Sequence, residues 1–145
     1  SRTLLHLDHG IEGDVISRGW IGEGKALLAL HASINPDWSE RLEVLRIDTL
    51  GNASKLGMMD QAWGGTARLD PTGERMILIG IDAQSGADNV YEFRLSDGRV
   101  TPLTDNKSLR ASFSGIEFLA DGRVIYSGQE RDSEFRVIRY PKPPP

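Results

Sequence analysis

The sequence has no cysteine among its 145 residues, few lysines and arginines, and no long apolar run. The missing cysteines exclude disulfide bonds and thiolate metal sites, although they leave the compartment open. The 17 Lys and Arg are outnumbered by 21 Asp and Glu, which gives a formal charge of −4. A nucleic-acid-binding domain normally carries a clustered basic patch, and a membrane-spanning helix needs about 20 apolar residues. We therefore expect neither nucleic-acid binding nor a membrane span.

The sequence also lacks the short motifs that mark common catalytic sites. No G-x-S-x-G, P-loop, G-x-G-x-x-G, H-E-x-x-H or EF-hand pattern occurs. Of the three histidines, His6 and His9 would point to opposite faces of an extended strand, so they do not suggest a shared metal site. We expect no catalytic residues, no cofactor and no metal site in this chain, and an enzyme only if a catalytic domain lies elsewhere.

A repeat of 49 residues runs through the chain. A large apolar residue recurs at positions 20, 69 and 118, and a glycine recurs at positions 24, 73 and 122. Each glycine follows a polar turn, where a residue at positive φ closes a hairpin at little steric cost. Sixteen glycines and seven prolines also favour a turn-rich chain of β-strands. The sequence predicts an all-β fold built from three copies of one unit.

The strand after each turn is apolar at consecutive positions, as in Ala26-Leu27-Leu28-Ala29-Leu30 and Met76-Ile77-Leu78-Ile79. A sheet with one wet face would alternate apolar and polar residues instead. These strands must therefore be covered on both sides, as happens when small sheets stack face to face. Stacked four-stranded sheets with this period predict a β-propeller with one repeat per blade.

The turn Leu69-Asp70-Pro71-Thr72-Gly73-Glu74-Arg75 resembles the F-S-P-D-G-R turn of TolB-like (WD-type) β-propeller repeats. Phe118-Leu119-Ala120-Asp121-Gly122-Arg123 resembles it too, and the stretch from Tyr91 to Thr104 is similar to the third and fourth strands of such a blade. The first repeat departs from the pattern, with Gly22-Glu23-Gly24 at its turn. The resemblance implies a propeller blade and does not identify a function, because such blades belong to proteins with many activities.

We predict one propeller unit over residues 1–140, with repeats at about 15–57, 63–104 and 112–140, and a proline-rich tail or linker at 141–145. A loop over residues 57–62 is expected to join the first two repeats. Residues 2–5 occupy the place of a fourth strand, which would complete the three-stranded last blade of another copy. Two copies would then form a six-bladed ring, as a homodimer. The alternative is a fragment of a longer propeller, and the mass in solution distinguishes the two.

Candidate binding residues lie in two places. The longer loops share one face of the predicted ring, and binding usually uses such loops on a rigid scaffold. Trp38 is either an exposed anchor there or a staple that holds its own loop against the blade. Arg18 and Arg68, on the first strands of their blades, are expected to face the central channel and to favour an anionic group. The other candidates on the long-loop side are Asp37, His31, Arg110 and Arg131.

Three functions fit these features. The first is a non-enzymatic interaction module that binds a protein or peptide through the long-loop face, as TolB-like proteins do. The second is an accessory, gating propeller of a larger hydrolase or peptidase whose catalytic Ser, Asp and His lie outside these residues. The third is a propeller that binds a small ligand or sugar. We expect a periplasmic or otherwise extracytoplasmic location, with the cytoplasm still open.

Overall fold

A computed structural model of the protein describes residues 14–36 and 38–130, together with the backbone of a last strand at residues 134–139. The described part of the chain contains strands and turns and no helix. The strands are β1 (Asp14–Ile21), β2 (Ala26–Ile34), β3 (Glu40–Asp48), β4 (Ala53–Leu69), β5 (Arg75–Ile81), β6 (Asp88–Arg94), β7 (Val100–Pro102), β8 (Ala111–Phe118), β9 (Val124–Glu130) and β10 (Glu134–Arg139).

All strand pairs are antiparallel and join strands that are consecutive in the sequence, except that β7 and β8 do not pair, so the strands form two sheets. The first sheet runs in the order β1-β2-β3-β4-β5-β6-β7, and the second in the order β10-β9-β8. Neither sheet closes on itself within the described residues. The prediction of an all-β chain made of consecutive hairpins is confirmed.

The predicted loop over residues 57–62 is wrong, because β4 runs without a break from Ala53 to Leu69. Its first part pairs with β3 and its last part with β5, and Ala62 is paired on both sides, with Glu40 and Gly80. Gln61, at a φ of 53°, and register shifts on both sides turn the strand without ending it. One strand thus serves as the fourth strand of blade 1 and the first strand of blade 2.

Gly57, which lies within β4, has a packing role. A Cβ atom built on Gly57 would lie 2.8 Å from the ring of Phe93. Phe93 is fully buried on β6, so its ring cannot move aside cheaply. Gly57 therefore lets the outer strand of blade 1 approach blade 2 closely.

Two apolar clusters lie between consecutive blades, and β5 contributes to both. Met76 and Leu78 join the cluster shared with blade 1, which contains Leu28, Leu30, Leu42, Val44 and Phe93 among others. Ile77 and Ile79 join the cluster shared with blade 3, which contains Ile116, Phe118, Val124 and Tyr126. All four β5 side chains are almost completely buried. The prediction that this strand is covered on both faces is confirmed.

The glycine turns adopt the backbone that the repeat requires. Gly24, Gly73 and Gly122 have φ angles of 79°, 73° and 80°, in the left-handed region that glycine enters easily. In blades 2 and 3 the glycine N–H also donates to a carbonyl three residues earlier, at Asp70 and Leu119. The recurring glycine is therefore explained by turn geometry.

Asp70 and Arg75, at the two ends of the central turn, form a buried ionic network that reaches blade 3. Arg75 Nε donates to Asp70 Oδ2 at 2.7 Å, and its Nη1 donates to Glu92 at 3.0 Å. Its Nη2 donates to the carbonyl of Gly122 at 2.8 Å, and the guanidinium lies over the Phe118 ring. One side chain of blade 2 thus holds the turn and the first strand of blade 3.

The same contacts shift the pKa of both groups. Burial would raise the pKa of Asp70, but hydrogen bonds from Thr72 and Arg75 bring it below its ordinary value. Burial would lower the pKa of Arg75, but Asp70 and Glu92 raise it. Both groups are therefore more firmly charged in the folded chain than in the unfolded chain.

The predicted blade-completing strand at 2–5 and the tail at 141–145 lie outside the described residues, so both stay predictions. The repeat boundaries and the closure of a ring by a second copy also stay predictions. The third blade has three strands within the described backbone, β8, β9 and β10.

Replacing Asp70 by asparagine is expected to destabilise the protein by about 2 kcal/mol at pH 7, because Arg75 loses a charged partner. The folded-state pKa of Asp70 is lowered, so its contribution exists above the unfolded pKa of about 4 and disappears as pH falls through the folded value. The difference between wild type and variant should therefore shrink below about pH 4. Urea unfolding between pH 2 and 7 measures it.

The matched control for this prediction is Asp60→Asn, which breaks the exposed pair between Arg41 and Asp60. An exposed ion pair contributes at most about 1 kcal/mol. Equal losses in the two variants at pH 7, or a loss in Asp70→Asn that persists unchanged at low pH, would contradict the role given to Asp70.

Candidate functional site

The loop between β2 and β3 presents Trp38 to solvent. Asn35 N–H donates to the Ser39 carbonyl at 2.8 Å, and Trp38 N–H donates to the Asn35 carbonyl at 2.9 Å. Ser39 is buried at the base of the loop, whereas the Trp38 side chain is 80% exposed. The exposed-anchor alternative therefore describes its position, and Trp38 does not staple its loop to the blade.

Trp38 also has strained backbone geometry. Its φ of 69° lies in the left-handed region, which costs a bulky L-residue about 1–2 kcal/mol. Such strain often accompanies a function that needs the residue in that place. Ile34, at the end of β2, is 69% exposed close by in the chain, so two large apolar side chains mark this end of blade 1.

A groove of about 460 Å³ lies beside this loop, lined by Asn35, Pro36, Arg41, Asp60 and Gln61. Two of these lining residues form an ion pair, with Arg41 Nε 2.7 Å from Asp60 Oδ1. A second groove of about 510 Å³ shares Asp60 and continues along Met58, Tyr91 and the residues after β5. We call this region, together with Ile34 and Trp38, the loop-face groove.

His31 lies on β2. Its Nδ1 is 3.1 Å from Glu43 Oε2, and Lys55 Nζ donates to the other oxygen of Glu43 at 2.8 Å. Hydrogen bonds from Lys55 and then His31 lower the pKa of Glu43. His31 thus belongs to a polar cluster with Glu43 and Lys55 on neighbouring strands.

Arg18 and Arg68 are brought together at the first strands of blades 1 and 2. Arg18 is the bulged residue of β1, and its Nη2 donates to the Gly64 carbonyl on β4 at 2.5 Å. Arg68 Nη1 donates to the Ala67 carbonyl at 3.0 Å, and its Nε lies 3.5 Å from Glu117 on β8. Each arginine therefore connects its own first strand to that of the next blade.

Of the remaining candidates, Arg110 lies in another loop, and the other two are not among the described residues. Arg110 ends the loop between β7 and β8, where its backbone N–H donates to Ser108 Oγ at 3.2 Å, and the neighbouring Leu109 is exposed. Asp37 and Arg131 lie outside the described residues. All seven site assignments stay predictions about binding.

Sequence reasoning missed the loop-face groove itself. Arg41 and Asp60 are 19 residues apart and meet only because β3 and β4 pair. Ile34 lies at the end of β2, where the strand leaves the core and its side chain is 69% exposed. The β3–β4 pairing runs past residue 57, and no local pattern in the sequence shows it.

No group of three or more His, Asp or Glu side chains that could hold a metal ion occurs in the described ranges. The same ranges contain no helix with the length and hydrophobicity that a membrane crossing requires.

The stacked antiparallel blades, with apolar clusters between them, define a β-propeller whose sheets are not closed in the described residues. No family model and no curated protein matches the sequence. Solved structures do match the fold. The β-propeller domain of the Trilobed protease from Pyrococcus furiosus, which has an open velcro topology, has a TM-score of 0.57 and 11% identity, over 86% of this chain and 38% of that chain.

A second solved structure is an oligogalacturonate lyase in complex with manganese. It has a TM-score of 0.57 and 16% identity, over 85% of this chain and 34% of the lyase chain. At such identities the likeness concerns the fold. The chain spans slightly more than a third of the length of each of these two proteins.

Replacing Trp38 by glycine is expected to stabilise the protein by about 0.5 kcal/mol, because the relief of left-handed strain exceeds the backbone entropy that glycine costs and little packing is lost. Leu50→Gly is the matched control, since Leu50 is 85% exposed and has no positive φ. That change should destabilise by about 0.5–1 kcal/mol through backbone entropy. Urea midpoints test both, and a loss of stability in Trp38→Gly would show that Trp38 packs on the blade.

Proposed function

We propose that this chain is the propeller part of a larger enzyme, a hydrolase of the peptidase type whose catalytic residues lie outside these 145 residues. The supporting observation is the likeness to the propeller domain of a protease over 86% of this chain. Another solved structure with a similar fold is a lyase, so these two similar proteins are both enzymes. In this proposal the propeller carries no chemistry and controls which molecules reach the catalytic part.

The geometry supports an accessory role of this kind. Blade 2 is fixed on both sides by apolar clusters, and Arg75 adds a partly buried hydrogen bond to the Gly122 carbonyl of blade 3. Such a stack is a rigid base for the loops at one end of the blades. The loop-face groove is lined by the Arg41–Asp60 ion pair, and Ile34 and Trp38 are exposed on the chain segment next to Asn35 and Pro36 of its lining. A peptide chain offers both apolar side chains and backbone polar groups to such a surface.

A second function is favoured by Trp38 itself. Tryptophan is among the residues most enriched at the energetic centres of protein interfaces. Its exposure in a loop held by backbone hydrogen bonds presents a rigid anchor at little entropic cost. A non-enzymatic interaction module of the TolB-like type, placed outside the cytoplasm and bound to a protein partner through this loop, is therefore the alternative proposal.

The two proposals differ in whether the native polypeptide that contains this chain also carries an activated catalytic serine. An antibody against this chain captures the polypeptide from the cells that make it, and a biotinylated fluorophosphonate labels any activated serine in the captured material. The enzyme proposal predicts a polypeptide well above 16.0 kDa that the probe labels, with labelling abolished by heat denaturation before the probe. Pre-immune serum is the capture control.

An unlabelled polypeptide that the antibody recovers in native form would contradict the hydrolase proposal. It would favour the interaction module, particularly if a second protein is recovered together with it.

A further inference from the structure

The first strands of the three blades lie side by side. They are β1, the last part of β4 and β8; β1 contacts β4 and β4 contacts β8. We call residues 14–21, 62–69 and 111–118 the inner edge. In a propeller the first strand of each blade lines the central channel, so side chains on this edge are placed where a ligand of the channel would bind.

Arg18 has hydrogen-bonding capacity that the protein does not use. Its Nη2 donates to the Gly64 carbonyl, which fixes the direction of the guanidinium. Its Nε is buried and has no hydrogen-bond partner, and no other side-chain nitrogen or oxygen in the described ranges is in this state. An unsatisfied buried donor costs about 1–3 kcal/mol. Because this nitrogen is closed to solvent, an acceptor from outside would reach it, and remove that cost, only after the Arg18 side chain shifts.

Arg68 adds a second positive charge close to Arg18. Its Nη1 is held by the carbonyls of Thr66 and Ala67, at 3.3 and 3.0 Å. Burial lowers the pKa of Arg18, and the charge of Arg68 lowers it further, while Glu40 acts in the opposite direction. Two guanidinium groups are therefore kept near each other although they repel.

The neighbouring carboxylates are already engaged with other donors. Glu40 Oε2 accepts a hydrogen bond from the Gly64 N–H at 2.6 Å. Glu117 lies beside Arg68, and its Oε1 accepts from the Phe118 N–H at 3.1 Å. Within the described residues no carboxylate lies within ion-pair distance of Arg18. Arg68 is therefore already paired with Glu117, whereas the guanidinium of Arg18 has no carboxylate partner in the described residues and only its Nη2 makes a hydrogen bond there.

We infer that Arg18 and Arg68 form a binding site for a carboxylate group of a ligand in the channel. The planar guanidinium matches a carboxylate, because two parallel N–H donors meet two oxygens, and such charge-assisted bonds are the strong ones. The carboxylate could belong to the C-terminus of a peptide or to an acidic sugar. This inference concerns the inner edge and does not depend on the loop-face groove or on the proposed enzyme.

The test uses the whole chain, labelled with ¹⁵N, and follows the side-chain Nε–H resonances of arginine. The probes are N-acetyl-Ala-Ala with a free carboxylate, the same dipeptide as its amide, galacturonate, and galactose. We expect one or both carboxylates to shift the Arg18 Nε–H resonance in a saturable manner, and the neutral partner compounds to leave it unchanged. The acid that binds more tightly identifies the source of the carboxylate.

Variants then assign the binding to the two arginines. Arg68→Gln and Arg18→Gln should each weaken binding by about tenfold or more, as measured on backbone amides of the inner edge. Arg94→Gln, which alters an exposed arginine paired with Asp97, is the matched control and should bind like wild type. Thermal unfolding confirms that each variant is folded.

Three results would overturn the inference. One is the absence of any Arg18 shift with both acids at millimolar concentration, which needs no variant. Another is an equal shift with an acid and its neutral partner. The third is unchanged affinity in a folded Arg68→Gln protein.

Discussion

The structure depends on the burial of β5 on both of its faces. Met76 and Leu78 face blade 1, and Ile77 and Ile79 face blade 3, with almost no exposed surface on any of them. Burying an apolar side chain of this size contributes about 1.5–3 kcal/mol, so neither neighbouring blade can leave without a large loss. The alternating side chains of β5 therefore hold blade 2 between blade 1 and blade 3.

Polar contacts then set how the blades are aligned. Arg75 ties the turn of blade 2 to the turn of blade 3 at one end, and Arg18 and Arg68 connect the first strands along the inner edge. Because these contacts are specific in direction, they fix the relative position of sheets that apolar packing alone would hold less precisely. The inner edge is thus built on strands that these contacts join.

The features predicted from the sequence are those that local chemistry determines. A glycine turn and a strand buried on both faces each leave a signature in a few consecutive residues. The glycine turns and the stacked blades could therefore be predicted from the sequence. The continuous strand β4 was not predicted, because its pairing with both β3 and β5 depends on residues that are far apart in the sequence. The exposure of Trp38 and the Arg41–Asp60 pair depend on strand pairing, which no local pattern reveals.

The most direct test of the central claim is a set of distance restraints across β5. In a methyl-labelled sample, ¹³C-edited NOE spectra should connect Met76 and Leu78 with the leucines of blade 1, and Ile77 and Ile79 with the rings of Phe118 and Tyr126. This alternation along four consecutive residues is specific to a strand between two stacked blades. NOEs from all four residues to a single neighbouring blade, or from Ile77 and Ile79 to no aromatic ring, would contradict it.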